Sequence, residues 1–191
     1  MSEEVVMGAD KVRGGACPDP TSPAGTTARR TVDLTDGRRV SVDLLTAADA
    51  PELGAAIEHA DPETLYRRFC GPPPRVTPKL LRRLTELDYE RRYALVARAA
   101  DGHGVAVARY EATGEPGVAD VAVVVDPAWR RAGLATALVR MLAEAAVAHG
   151  FTRFTATYFA DNVPVSELLD EAGGKRVIAH GIAEAVVPLG T

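Results

Sequence analysis

The order of hydrophobic and polar positions predicts regular structure from about residue 38 onward. Strands are indicated by alternating or continuous β-branched runs, and helices by apolar positions that recur three to four residues apart. The predicted strands are 39–45, 93–98, 105–110, 118–125, 151–159, 175–178 and 182–188. The predicted helices begin after a Thr46 cap and run to 59, and then span 62–69, 77–87, 134–149 and 164–172.

Turn and cap residues delimit these elements. Asp61 precedes Pro62 as a helix cap precedes a first-turn proline, and Gly150 follows a helical stretch as a C-terminal glycine does. The segment 101–104 joins two strands as a hairpin. Consecutive strands followed by a strand–helix–strand crossover predict an α/β (α+β) fold, in which a mixed, mostly antiparallel sheet carries helices on both faces.

The length and the first thirty residues suggest how the chain is divided. A chain of 191 residues suits one domain. Residues 1–30 are rich in Gly, Pro, Ser, Thr and Ala and show no apolar period, a composition that cannot offset its ordering entropy. We therefore predict a disordered tail over 1–30 and one folded domain over 31–191.

Composition and charge narrow the function classes. The formal net charge is −4, and no block of Lys and Arg marks a nucleic-acid surface. No apolar run approaches the roughly 18 residues that span a membrane, and no signal peptide is visible. Cys17 and Cys70 have no metal-ligand spacing to the four histidines. We expect a cytoplasmic protein without a metal, a membrane partner or a nucleic-acid partner.

The segment 121–135 carries the most chemical information. A strand runs into a short loop and then directly into an amphipathic helix, with the pattern Arg130-x-x-Gly133-x-Ala135 at the junction. Backbone N–H groups at a helix N-terminus lack intrahelical acceptors and attract anions, and small residues let a pyrophosphate approach. Arg130 and Arg131 can add positive charge. A glycine at such a junction is common in any α/β fold, so the pattern alone is weak.

With its surroundings, this segment resembles motif A of the GNAT superfamily of acetyltransferases, and the element order matches that superfamily over nearly all of 38–189. The resemblance implies acetyl-CoA as cosubstrate and direct transfer of its acetyl group to an amine. It implies that the pantetheine arm pairs with backbone groups of Val123 and Val125. The pyrophosphate would be held, with help from Arg130, by backbone groups of Arg131, Ala132, Gly133, Leu134, Ala135 and Thr136.

Direct transfer requires a general base, and Asp120 is the candidate. Strand alternation places Asp120, Ala122 and Val124 on one face, and an apolar environment should raise the pKa of this carboxyl. The alternative is that Asp120 merely begins the strand or caps a turn. A base as short as Asp would act through a water molecule.

A narrower resemblance supports Asp120. The segments 62–69, 85–97 and 118–122 are similar to those of bacterial Pat-type protein lysine acetyltransferases, in which a catalytic glutamate matches Asp120. Glu86 departs from that pattern, which usually has His. The resemblance implies a protein lysine as acceptor, such as one on an acyl-CoA synthetase.

The later segment 162–173 resembles the second CoA-contacting helix of the superfamily. Asn162 would contact CoA or its pantetheine arm, or else serve only as a helix cap. Leu169 stands where many relatives have a tyrosine that protonates the thiolate, so water or another donor, with Tyr158 and Tyr89 as weak candidates, would supply that proton. The Arg67–Arg68, Arg82–Arg83 and Arg91–Arg92 pairs are typical of solvated surfaces, although one pair could bind the CoA 3′-phosphate or an acidic substrate.

Two other functions remain open at this stage. The fold hosts many acceptors, so a small-molecule amine acetyltransferase is one alternative. The missing tyrosine and the Asp120-for-Glu difference motivate the other, a non-catalytic regulatory module that binds acetyl-CoA.

Overall fold

The computed structural model describes residues 29–190. The predicted tail lies outside this range except for its last two residues. Within it, one sheet of eight strands carries five α-helices. The strands are β1 Arg30–Asp33, β2 Arg39–Leu44, β3 Arg92–Arg98, β4 Gly104–Ala112, β5 Val118–Val125, β6 Arg153–Phe159, β7 Lys175–Ala179 and β8 Ile182–Pro188. The helices are α1 Ala50–His59, α2 Pro62–Phe69, α3 Pro78–Thr85, α4 Leu134–Ala148 and α5 Val163–Glu171.

The strands lie in the order β1-β2-β3-β4-β5-β6-β8-β7. Every neighbouring pair is antiparallel except β5 and β6, which are parallel because α4 connects them as a crossover helix. The sheet is therefore mixed and mostly antiparallel, as the sequence predicts. The single parallel pair lies near the middle of the sheet and, as shown below, at the candidate site.

Helices cover both faces of the sheet. On one face, α4 and α5 bury the main core, to which α4 contributes Leu134, Leu138, Leu142 and Ala146 at helical spacing. Burying a leucine side chain stabilises a fold by roughly 1.5–3 kcal/mol, so this stripe fixes α4 against β3, β4 and β5. On the other face, Leu53 of α1 packs against a smaller cluster of Leu45, Ala94 and Val96, and α3 contacts α1.

The structure corrects the sequence prediction at several places. Within residues 29–190, the first regular element is β1, which the prediction of order from residue 38 missed. The helix after Thr46 starts as a short 3-10 turn, Ala47–Asp49, before α1 begins. Predicted ends shift by one or two residues: α3 stops at Thr85, β6 starts at Arg153, and α5 spans Val163–Glu171. These shifts do not change the topology.

Candidate active site

The candidate site lies where β5 and β6 diverge. Their parallel register covers only Val118, Ala119 and Asp120 of β5, whereas β4 pairs with β5 as far as Val125. Beyond Asp120 the β6 side of β5 therefore has no strand partner within residues 29–190. A gap between two central strands exposes backbone hydrogen-bonding groups that an extended ligand can use.

Backbone groups of Val123 and Val125 face this gap. The N–H of Asp126 donates to Val105 O on the β4 side (2.9 Å), and successive residues of a strand direct their N–H and C=O groups to alternate sides. Val123 and Val125 therefore direct theirs towards the β6 side. Their side chains pack against the main core. Their backbone groups, and not their side chains, therefore face the gap.

The loop between β5 and α4 ends in an αL conformation. Gly133 is the N-cap of α4 at φ +79°, and Arg131 also lies in the left-handed region at φ +58°. The N-cap itself, being a glycine, makes no side-chain capping hydrogen bond. Gly133 O accepts a hydrogen bond from the N–H of Ala137. The N–H groups of Ala135 and Thr136 come earlier in the helix and have no intrahelical acceptor. These groups form the positive end of the helix dipole.

Packing holds the loop in place. Ala132 and Leu134 are both 1% exposed, and Ala132 O accepts a hydrogen bond from Thr35 N (3.1 Å). Buried residues thus alternate with exposed Arg131 and Gly133. The buried residues hold the loop backbone against the core, and the exposed residues leave its solvent-facing side open to an anion.

The Arg130 side chain makes hydrogen bonds at the end of β5. Its Nε donates to Val125 O (3.1 Å), and its Nη2 donates to Thr64 Oγ1 in α2 (2.9 Å). The guanidinium therefore joins the end of β5 to α2. Both Arg130 and the adjacent Arg131 are exposed.

Asp120 is an interior residue of β5, two positions after its first residue Val118. The alternative that it begins the strand is wrong. Its Oδ1 accepts a hydrogen bond from Thr155 Oγ1 on β6 (3.2 Å). Burial raises the pKa of the Asp120 carboxyl above its ordinary value, and the Thr155 hydrogen bond and the charge of Arg68 oppose this rise. The predicted direction of the shift is confirmed.

Strand β4 places charged side chains near Asp120. On β4, Glu111 pairs in register with Asp120 and Arg109 lies two residues away on the same face. Arg109 is 8% exposed, and its Nη2 has no hydrogen-bond partner in the part of the chain that the structure describes. Burial first, and the neighbouring Arg68 second, lower the pKa of Arg109 to about 10. Glu111 is ion-paired with Arg83 (3.2 Å).

Helix α2 lies over the gap and is fastened to β6 and to the segment that follows it. Arg67 donates to both carboxylate oxygens of Asp161 (2.9 and 3.4 Å). The rings of Tyr66 and Phe159 stack at 5.1 Å. We call these two contacts the α2 clasp.

The residues considered for contact with CoA or for protonation of the thiolate lie in different environments. Asn162 is the N-cap of α5, but its side chain makes no capping hydrogen bond. Leu169 is 5% exposed and belongs to the core. Tyr89 donates to Leu45 O (3.1 Å), and Tyr158 accepts from Ser166 Oγ (3.4 Å). Neither tyrosine shows a contact with Asp120.

Sequence reasoning missed Arg68 and Arg109. It treated the Arg67–Arg68 pair as a solvated surface, whereas burial lowers the pKa of Arg68 and Asp120 is its first opposing charge. The signal available for Arg109 was its position in an apolar strand two residues before Glu111. Among residues 29–190, no group of three or more His, Cys, Asp or Glu could hold a metal ion. In the same range no helix has both the length and the apolar character needed to cross a bilayer.

Comparisons with known proteins agree with this geometry. The model of the acetyltransferase (GNAT) family matches residues 61–173. Acetyltransferase PA5475 of Pseudomonas aeruginosa is 31% identical over 138 residues, which are 71% of this chain and 74% of that protein. The crystal structure of the GNAT domain of S. lividans PAT is 29% identical, with a TM-score of 0.78, over 88% of this chain and 100% of that one.

A more distant structure shares the fold. A GNAT superfamily phosphinothricin acetyltransferase from Sinorhizobium meliloti, in complex with AcCoA, has a TM-score of 0.66 at 17% identity, over 79% of this chain and 89% of that one. The family match covers more than half of the chain and includes the divergent strands, the αL loop and α2. The chain therefore belongs to the GNAT family of acetyltransferases.

Proposed function

We propose that the protein transfers the acetyl group of acetyl-CoA to the side-chain amine of a lysine in another protein. The family assignment supports acetyl transfer, and the Pat-like segments around Asp120 support a lysine acceptor. The similarity to S. lividans PAT over that whole GNAT domain adds to this support. The structural observation that carries the proposal is an open sheet face beside Asp120.

This open face belongs to β6, β8 and β7. Thr155, Thr157, Glu184, Val186 and Val177 lie on the Asp120 side of these strands in cross-strand register. Val186 is 43% exposed and Val177 73% exposed, so no helix between residues 29 and 190 covers them. A small-molecule site is typically a cleft that encloses most of its ligand. An uncovered sheet face suits the surface of a macromolecule.

A shallow depression of about 550 Å³ lies on this face. Thr155 lines the depression and also holds Asp120 Oδ1. A lysine side chain is long enough to reach inward from a docked surface while its backbone stays outside. The remaining lining residues are Thr113, Gly114, Glu115, Val118, Arg153 and Val186.

The chain's own residues fit acetyl-CoA, which supplies an acetyl group activated as a thioester. Gly133 has no Cβ to obstruct the αL loop. A Cβ added at this position would lie 3.5 Å from Thr35 Cγ2. The N–H groups of Arg131–Thr136 would hold the pyrophosphate. Backbone groups of Val123 and Val125 would hold the pantetheine arm along the gap. Asn162, whose side chain makes no cap, is available to the same arm.

Asp120 would accept the proton that the acceptor amine must lose. Burial makes its carboxylate a stronger base than a surface aspartate, because the raised pKa favours proton uptake. Thr155 fixes Oδ1 and thereby the orientation of the carboxylate. Leu169 cannot donate a proton to the departing thiolate, so we assign that step to water.

The test is thiol release from acetyl-CoA with a protein acceptor, an acyl-CoA synthetase, followed by mass spectrometry of its lysines. Polyamines and amino sugars are run in parallel. We expect acetyl-lysine on the protein, and its loss in both Asp120→Asn and Gly133→Glu. Turnover on small amines alone would refute the protein acceptor. Binding of CoA by calorimetry without turnover on any amine would favour the regulatory module instead.

A further inference from the structure

Arg109 of β4 is a buried arginine without a partner among residues 29–190. Its side chain is 8% exposed, and its Nη2 makes no hydrogen bond in that range. No ion pair involves it there either. A buried guanidinium is costly to retain unless an anion faces it. Arg109 is therefore suited to receive a negatively charged group from a ligand.

A second arginine, Arg92, lies beside Arg109 on the same face of the sheet. Ala94 of β3 pairs with Arg109, and Arg92, two residues earlier, pairs with Glu111. Side chains that pair directly across two strands share a face, and diagonal neighbours lie about 7–8 Å apart. The terminal nitrogens of Arg92 donate to backbone oxygens at the C-terminal end of α3. Its buried Nε has no hydrogen-bond partner in the described part of the chain.

Positive charge exceeds negative charge around these two arginines. Arg83 of α3 is ion-paired with Glu111 (3.2 Å), so Glu111 is already engaged. The nearby Asp88 carboxylate accepts the backbone N–H groups of residues 90–92. We call Arg83, Arg92, Arg109 and Glu111 the arginine cluster, in which three guanidinium groups share one carboxylate.

The pKa of Arg109 agrees with this imbalance. Burial lowers it most, the charges of Arg68, Arg92 and Arg83 lower it further, and Glu111 opposes them. A second carboxylate in the cluster would offset both the repulsion among the guanidinium groups and the desolvation of Arg109.

The arginine cluster lies beside the candidate base. Glu111 pairs in register with Asp120, and Arg109 pairs with Ala122, so these side chains share the Asp120 face. The side chains of Arg83 and Glu111 are 56% and 39% exposed. They form an open rim, and the buried Arg109 lies at the floor. Because neighbouring strands are about 4.8 Å apart, one short segment of an acceptor can reach both Asp120 and the cluster.

We propose that the arginine cluster binds a carboxylate of the acceptor protein, on a Glu or Asp side chain close in sequence to the lysine that is acetylated. The proposal rests on the proposed function, from which it takes the lysine acceptor and Asp120 as the base. Guanidinium groups suit this ligand because their N–H groups form a planar fork that matches the two oxygens of a carboxylate. The cluster would then select among lysines by their acidic neighbours.

Matched peptides test this selection. Capped peptides carry one lysine and a glutamate one to three residues away, and their partners carry glutamine at the same position. Thiol release from acetyl-CoA gives kcat and KM for each peptide. We expect the wild-type protein to prefer at least one glutamate peptide by about 10- to 100-fold in kcat/KM, through a lower KM. That range is the usual contribution of a hydrogen bond to a charged group.

Variants of Arg109 identify the group that recognises the glutamate. Arg109→Met should remove the preference by raising KM for the glutamate peptide, while the glutamine peptide keeps its wild-type kcat/KM. Arg109→Lys retains the charge without the planar fork and should keep part of the preference. Arg140→Met removes one exposed positive charge from α4 and should keep all of it. An equal loss on both peptides in Arg109→Met would assign Arg109 a purely structural role.

Stability provides a readout that needs no acceptor. Replacing a buried charge that lacks a partner with an apolar side chain of similar length is neutral or stabilising. Arg109→Met should therefore unfold at the same denaturant concentration as the wild type, or at a higher one. Unfolding at a lower concentration would show that a group of the chain itself pairs with Arg109, and the inference would be wrong.

The outcomes separate this inference from the proposed function. If lysine peptides are acetylated without preference for glutamate, the inference is wrong and the lysine acceptor stands. If free amino acids are acetylated with the same dependence on Arg109, and peptides and proteins are not, the cluster binds a carboxylate and the protein acceptor is wrong. If no amine is acetylated, calorimetry of the two peptides with the CoA-bound protein decides: equal affinities refute the inference, and a glutamate preference that Arg109→Met removes supports it.

Discussion

The αL position at the start of α4 offers a sharp test of the cofactor site. We predict that Gly133→Ala weakens CoA binding far more than its effect on stability explains. At φ +79° an alanine is strained, and a left-handed conformation costs an L-residue roughly 1–2 kcal/mol. The new Cβ would meet only Thr35 Cγ2 at 3.5 Å, an ordinary contact. The free energy of unfolding should therefore fall by about 1–2 kcal/mol and not more.

The effect on binding has a separate origin. If the strain turns one backbone N–H away from a phosphate oxygen, a hydrogen bond to a charged group is lost, and such bonds contribute about 1.5–3 kcal/mol. That loss corresponds to a rise of roughly 10- to 100-fold in the Kd for CoA. Isothermal titration calorimetry measures this Kd, and chemical denaturation of the apo protein measures the stability.

Gly102 is the matched control. It lies at φ +91° in the hairpin between β3 and β4, with nothing within 4 Å of an added Cβ. Gly102→Ala should lose a similar free energy of unfolding and keep the wild-type Kd for CoA. Equal Kd values for the two variants would refute the assignment of the αL loop to the pyrophosphate. A much larger loss of stability in Gly133→Ala would show that the strain argument is incomplete.

Three further predictions concern catalysis and the core. Asp120→Asn should lower kcat by about 10²- to 10⁴-fold, the usual contribution of a general base, while calorimetry shows an unchanged Kd for CoA; wild-type kcat would contradict the assignment. Gly174→Ala should lower the free energy of unfolding by roughly 2 kcal/mol, because its Cβ would lie 2.7 Å from Leu169 O; Gly114→Ala, with open space, should be neutral in the same denaturation experiment. Leu142→Ala should cost about 2–5 kcal/mol, since Leu142 is fully buried, and a smaller loss would indicate that α4 relaxes into the cavity.

The topology could be predicted because apolar periodicity is strong in the central elements. β3 is buried at five consecutive positions, and α4 carries one continuous apolar stripe. β1 was missed for the converse reason. Its four residues are Arg, Thr, Val and Asp, three of them exposed, and only pairing with β2 makes them a strand. A short polar stretch carries no hydrophobic pattern from which its pairing with another strand could be predicted.

The same distinction applies to the site. The αL loop was visible in the sequence because Gly133 and its small neighbours report a backbone conformation, and Asp120 was visible because it interrupts an apolar strand. Arg68 was not visible. Arg67 and Arg68 are adjacent and chemically identical, yet Arg67 binds Asp161, whereas the pKa of Arg68 responds to the charge of Asp120. Which of the two faces the sheet depends on how α2 is anchored.

The surroundings of Asp120 bear on the proposal that this buried aspartate is the base. Burial alone raises the pKa of Asp120, which strengthens it as a base but reduces its ionised fraction. A general base works best when its pKa lies near the operating pH. Arg68 and Thr155 oppose the effect of burial, whereas Glu111 adds to it. The base strength of Asp120 is therefore set by a balance among one helix and three strands, and a change in the position of α2 would alter it without any change in β5.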